Sequence, residues 1–166
     1  MGLQNEIKQR KTFSSPEQEA FLSILRTADL ASREVADALG GVDLTPTQYN
    51  VMRILRGAGQ DGIACGGIAD RMVTRDPDIT RLLDRLIRRG LAERARSSAD
   101  RRVVIARITP AGKALVDSLD EPIAAAVGAC FAGMSATEVG EIIRLLEAVR
   151  RACGAARNEH ASRGTR

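Results

Sequence analysis

The residues through which this chain can do chemistry are its arginines. Ten of them (75, 81, 85, 88, 89, 94, 96, 101, 102 and 107) fall between Thr74 and Arg107, against five acids. The whole chain carries a net charge of +4, so this stretch holds the entire excess and the rest sums to minus one. Such clustering is the footprint of a phosphate-binding surface, or else of a solvated arginine-rich face. Arg81, Arg85 and Arg88 recur at helical steps and share one face. A guanidinium can read a guanine edge with two hydrogen bonds or hold a phosphate. Arg81 is the candidate for base reading, with phosphate contact or plain solvation as the alternatives. Arg85 and Arg88, one and two turns on, suit phosphates, as do Arg94 and Arg96. Thr80 can bond a phosphate or a base edge. Asp78 can accept from cytosine N4 or simply pair with the positive helix end. Thr74 and Arg75 are placed to touch a phosphate backbone at a turn. Asp76 and Pro77 either approach the nucleic acid or only cap the helix.

Other chemistries are poorly supplied. The one histidine, His160, lies in a polar tail, which leaves no base for His-dependent catalysis. Cys65, Cys130 and Cys153 are odd in number and form no CxxC, so neither a disulfide framework nor a metal site is expected. No phosphate-binding glycine motif is present, and no cofactor is expected. Aromatic residues make up 2%, too few for stacking platforms on single strands. The 166 residues, 44% hydrophobic and 28% charged, suit one domain with a real core. The polar start and the lack of a long apolar run favour a reducing cytoplasm, with no membrane span.

These side chains need elements to hold them. Phe21, Ile24, Leu25, Ala28, Ala31, Val35 and Leu39 predict a helix over 17–39, ended by Gly40-Gly41 as a C-cap. Thr45-Pro46-Thr47-Gln48 is a capping box with proline at the first helical position, opening a helix that stops before Gly57. Gly62-Ile63-Ala64 suits a short strand and 66–72 a weak helix. Asp76-Pro77-Asp78 predicts the start of the basic helix, with Asp76 as N-cap. Ile79, Leu82, Leu83, Leu86 and Ile87 form its apolar face, and Gly90 closes it. Leu91 to Arg96 and Arg102 to Ile108 predict a hairpin with a charged tip. Thr109-Pro110 starts another helix, with a kink or break expected near Asp120-Glu121 because of Pro122. Ser135 to Glu138 is a second capping box, opening a last helix whose tail frays beyond Gly154. Residues 1–15 suit a disordered or loosely docked arm.

The middle is thus a winged helix-turn-helix plan, mainly α with a small β-wing. Here the chain resembles the MarR transcriptional regulators. Leu44 through Arg53 looks like their helix 2 signature. Ile79-Thr80-Arg81-Leu82-Leu83-Asp84-Arg85-Leu86, followed by Arg89-Gly90-Leu91, looks like their recognition helix running into the wing. Asp100-Arg101-Arg102 matches the family's Asp-any-Arg, and Ile108-Thr109-Pro110-Ala111-Gly112 is similar to its Leu-Thr-x-x-Gly.

The resemblance implies a flexible arm (1–16), an N-terminal dimerisation helix (17–43), a DNA-binding domain (44–109), C-terminal dimerisation helices (110–153) and a flexible tail (154–166). It implies a homodimeric repressor on a pseudo-palindromic double-stranded operator. The recognition helix, 76–89, enters the major groove and the wing, 91–108, the minor groove. Arg102 is then the minor-groove arginine and Asp100 its orienting partner, with Arg101 able to take the insertion instead. A small effector, aromatic or anionic, is expected between the dimer helices and the winged module. Tyr49, Arg53, Arg26 and Arg33 are its candidate polar contacts, or else ordinary surface and packing residues. Redox-sensing relatives carry a reactive cysteine near the start of the first helix, and none lies between Met1 and Asn50. Cys65 sits at a helix start, where a thiol can acidify, or is a small buried residue. Cys130 and Cys153 read as core or interface. The competing readings are an enzyme, a winged-helix module that binds only protein, and a monomer whose flanking helices complete its own core. Activation rather than repression stays open.

Overall fold

The computed structural model describes residues 2–74, 78–97 and 100–163, with side chains through Ala155. Contacts divide the chain into two units, Met1–Val127 and Gly128–Arg166. The elements run α1 (Leu3–Glu6), α2 (Pro16–Leu39), a 3-10 turn (Gly40–Val42), α3 (Pro46–Gly57), β1 (Ile63–Ala64), α4 (Cys65–Arg71), α5 (Ile79–Arg88), β2 (Ala92–Arg96), β3 (Val104–Ile108), α6 (Pro110–Cys130) and α7 (Ala136–Arg163).

Local chemistry accounts for most boundaries. The Thr45 hydroxyl accepts the Gln48 N–H at 3.2 Å while the Gln48 side chain accepts the Thr45 N–H at 3.0 Å, the reciprocal box its sequence predicts. Gln48 is buried, and that bond satisfies its oxygen. Ser135 and Glu138 close the same box at the head of α7. Gly90, at φ +69, ends α5 in a Schellman motif: Leu91 N–H donates to Leu86 at 3.0 Å and Gly90 N–H to Ile87 at 2.9 Å.

Four expectations are corrected. Gly40 is not a left-handed cap: it stays in the right-handed region and opens the 3-10 turn, and Asp43 takes the positive φ of 51 instead. A short aspartate tolerates that conformation better than most side chains. The N-cap of α5 is Asp78 rather than Asp76: its carboxylate accepts the Arg81 N–H at 3.1 Å. The helix therefore starts at Ile79, and Asp76 and Pro77 lie outside the described residues. Pro122 does not break α6. Pro122 has no N–H to offer the carbonyl of Ser118 four residues back, and Ser118 is exposed, where water can serve it. Helix α7 continues past Gly154 to Arg163. At the other end, Leu3–Glu6 form a helical turn that buries Leu3 and brings Glu6 within 3.8 Å of Arg26.

The core joins the winged module to the start of α6. Leu39, Val51, Met52, Leu55, Ile68, Leu83, Leu86 and Val116 are its large, fully buried members. Each such aliphatic contributes about 1.5–3 kcal/mol by leaving water. The sheet is antiparallel, in the order β1-β3-β2. No helix among the described residues is long and apolar enough to cross a membrane.

Candidate nucleic-acid interface

Helix α5 presents two faces. Leu82, Leu83 and Leu86 are buried, with Ile79 and Ile87 packed against the same core. Thr80, Arg81, Arg85 and Arg88 are exposed on the other side. Burial of the leucines thus fixes the rotation of the helix, and the rotation turns the arginines outward. The Arg81 side chain is 81% exposed and its Nε forms an ion pair with the cap residue Asp78, 2.9 Å from its carboxylate. Asp78 therefore does two jobs from one position: it caps the helix and it holds Arg81.

The wing is anchored to α5 by a pair the sequence did not reveal. Arg94, on β2, reaches Asp84 of α5 at 2.8 Å. Arg81, Asp84, Arg85, Ile87, Arg88 and Arg94 line one cleft of about 690 Å³ between helix and hairpin. Arg94, expected to meet phosphate, is thus already engaged with its own chain. The signal available in sequence was the acid itself, since a carboxylate within an arginine stripe calls for a partner. Arg96 is exposed at the far end of β2.

At the hairpin tip, Asp100 and Arg102 form the pair expected of them. The Arg102 backbone N–H and Nε donate to Asp100 Oδ1 at 2.9 and 3.2 Å, and Nη2 donates to Oδ2 at 3.2 Å. The guanidinium is held while its side chain stays 91% exposed. The same contacts hold the Asp100 carboxyl below its ordinary range. Arg101 is exposed beside it. In the turn before α5, Thr74 and Val73 are exposed, and the Val73 N–H donates to Asn50 Oδ1 at 3.0 Å. Arg75 lies outside the described residues.

Arg89 is another residue that sequence reading left without a role. Its guanidinium donates to the carbonyls of Val42 and Asp43, tying the end of α5 to the turn between α2 and α3. The root of the wing is closed by Thr109 and Gly112. The Thr109 hydroxyl donates to the Gly90 carbonyl at 2.7 Å and accepts the Gly112 N–H at 3.0 Å. A Cβ on Gly112 would lie 2.0 Å from the Leu91 carbonyl oxygen. The Thr-x-x-Gly spacing is therefore a cap followed by a close approach that only glycine permits.

The four candidate effector contacts separate into two pairs. Tyr49 is buried and the Arg53 guanidinium lies over its ring at 6.0 Å. Burial pushes the Tyr49 phenol up. Arg26 and Arg33 both approach Asp29 on α2, at 3.8 and 2.9 Å. Cys65 opens α4 but its thiol is pushed up by burial, with Arg94 pulling weakly the other way, so it is the small half-buried residue rather than an acidified thiol. Cys130 and Cys153 are exposed, which removes the core reading for both.

A short three-strand sheet, a helix-turn-helix of α4 and α5, and a basic hairpin define a DNA-binding winged helix. The MarR family profile matches residues 44–104. A MarR transcription factor from Planctomyces limnophilus is 40% identical, over 82% of this chain and 98% of that one, with a TM-score of 0.63. The chain belongs to the MarR family: it is a transcription regulator, not an enzyme. A cysteine-to-serine mutant of MarR from E. coli, complexed with operator DNA, is 23% identical over 90% of this chain and 99% of that one, at TM-score 0.73. CouR from Rhodococcus jostii, bound to p-coumaroyl-CoA, is 25% identical over 82% and 95%, at TM-score 0.71. No match is found among curated proteins.

Proposed function

We propose that this protein is a homodimeric, cytoplasmic repressor that binds a pseudo-palindromic operator and loses affinity when a small organic molecule binds. Helix α5 enters the major groove, Arg81 reading a guanine and Arg85 and Arg88 meeting phosphates. Thr74, Arg75 and Thr80 support the approach, and Arg96 and Arg101 flank it. Arg102 enters the minor groove, where negative potential draws arginine. The observation that carries this reading is the pair of exposed guanidinia, Arg81 and Arg102, each held by a carboxylate of its own element. The dimer is supported by apolar side chains left in water: Phe21, Leu25 and Leu30 on α2, and Ile143, Leu145 and Val149 on α7. An effector is supported by the relatives whose structures carry p-coumaroyl-CoA or concern regulation by 6-hydroxynicotinic acid.

Selection of bound sites from random duplexes tests the reading. The expected product is an inverted repeat with half-sites one DNA turn apart, about 34–36 Å. Enrichment of no duplex at low salt would leave only a protein-interaction module.

A further inference from the structure

The tail of α5 is fastened to the joint where α2 gives way to α3. In that joint Gly40, Gly41 and Val42 form the 3-10 turn, Asp43 takes its positive φ, and Leu44 leads to the Thr45 cap. Leu39 and Leu44, buried on either side, seat the turn in the core. Between them the backbone is compliant. Gly40 and Gly41 have no side chains to limit them, and an added Cβ on either would meet nothing within 4 Å.

Arg89 spans this joint. It is the C-cap residue of α5. Its two terminal nitrogens donate to successive carbonyls, Nη1 to Asp43 and Nη2 to Val42, the latter at 2.8 Å. Two bonds from one planar, rigid fork resist rotation in a way that a single bond does not. The space beside them is open rather than packed: Asp43, Thr45, Gln48, Arg85, Arg88 and Arg89 line a cleft of about 370 Å³. A different link, Arg56 with Asp117 and Asp120, joins α3 to α6. The Arg89 bonds start on the recognition helix itself.

We propose that Arg89 is a positioning residue: it fixes the angle between α2 and α5, and through that angle the half-site spacing the dimer accepts. The proposal rests on the homodimeric, operator-binding reading. Helix α2 carries Phe21, Leu25 and Leu30, the exposed apolar side chains assigned above to the partner copy. Holding α5 to the end of that helix refers each recognition helix to the two-fold axis of the pair. Helix α5 has 10 residues, a length of about 15 Å. A rotation of about 10° at its tail swings its head by about 2.5 Å, and the two heads of a symmetric pair then differ by about 5 Å from their set separation. One base-pair step is about 3.4 Å. Loosening of that size is enough to blur neighbouring spacers while leaving each half-site contact intact.

The test uses the full-length protein and the inverted repeat that the parent selects from random duplexes, rebuilt with its spacer one base pair shorter and one longer. The parent should lose at least about tenfold in affinity on either altered spacer. Arg89→Ala and Arg89→Gln should each reduce that loss to about threefold or less, with the half-site consensus unchanged. Arg89→Lys should fall between, since one ammonium does not fork across two carbonyls. A spacer penalty as large in the Ala and Gln variants as in the parent would overturn the proposal. So would an equal loss on all three spacers: with a salt slope smaller by about one it makes Arg89 a phosphate contact, and with a lowered thermal midpoint alone it makes Arg89 a merely structural tie. If neither Arg89→Ala nor Arg89→Gln folds, Arg89→Lys decides, and a penalty equal to the parent's overturns the proposal. A parent that selects an inverted repeat but tolerates every spacer defeats this inference alone. A parent that selects no inverted repeat defeats the dimeric reading, and the proposal falls with it.

Discussion

Arginine side chains lose up to about 2 kcal/mol of rotamer freedom when fixed, so pre-aiming one with a carboxylate moves that cost ahead of binding. Asp78 does this for Arg81 and Asp100 for Arg102. Arg81→Ala should cost about 1–3 kcal/mol of operator affinity and relax preference at one position per half-site, read by site selection. An unchanged consensus would show that Arg81 reads no base. Arg102→Ala should instead weaken binding with the major-groove consensus intact. The tip pair was legible in the sequence because its partners stand two residues apart, within a motif. Asp78 was misjudged because two acids precede the helix at compatible spacing, and only the observed bond to the Arg81 N–H picks one. The Arg94–Asp84 contact crosses from strand to helix and depends on how the hairpin packs, which no local pattern encodes.

At the scale of elements, caps and closures were readable wherever hydroxyl, proline and glycine fall at fixed offsets, as at Thr45 and Gly90. What they fasten was not. Gly112→Ala should destabilise the protein by at least about 1–3 kcal/mol, because the new methyl meets a backbone carbonyl that cannot yield without moving the wing. Denaturant midpoints measure this, and a shift within error would deny the close approach. Asp84→Asn and Arg94→Gln form a double-mutant cycle on operator affinity. If the pair holds the wing against α5, the second substitution adds little to the first. If Arg94 instead meets phosphate and Asp84 only repels it, the two effects have opposite signs and sum.

For the whole molecule, two dependences follow. With about six phosphates neutralised per dimer, log K for the operator should fall against log salt with a slope of about −5. A slope near zero would be incompatible with the cationic face as the contact surface. In acid, the link between α3 and α6 should fail. Lys113 and then Arg56 hold Asp117 below the ordinary carboxylate range, and Arg56 holds Asp120 there. Their depressed folded values mean that the contribution is complete above the unfolded carboxylate range and is lost as pH falls through the lowered values. Arg56→Gln should flatten the stability profile below about pH 4, with little change in its shape at neutral pH. Surplus apolar residues in the first and last helices were visible in the sequence, and they stand exposed, as the proposed dimer requires. How two chains would fit was not visible, since periodicity gives a stripe and not what covers it.

Gly112 carries an engineering consequence. Because a foreign side chain there would collide with the Leu91 carbonyl just before β2, hairpins exchanged between regulators must travel with their own threonine and glycine, or be spliced further out, at Ser97 and Val103, where one backbone bond of 2.8 Å closes the loop. Chimaeras joined at the tip should keep the host's thermal stability and acquire the donor's groove preference, whereas those joined between Leu91 and Gly112 should be recovered mainly as insoluble protein.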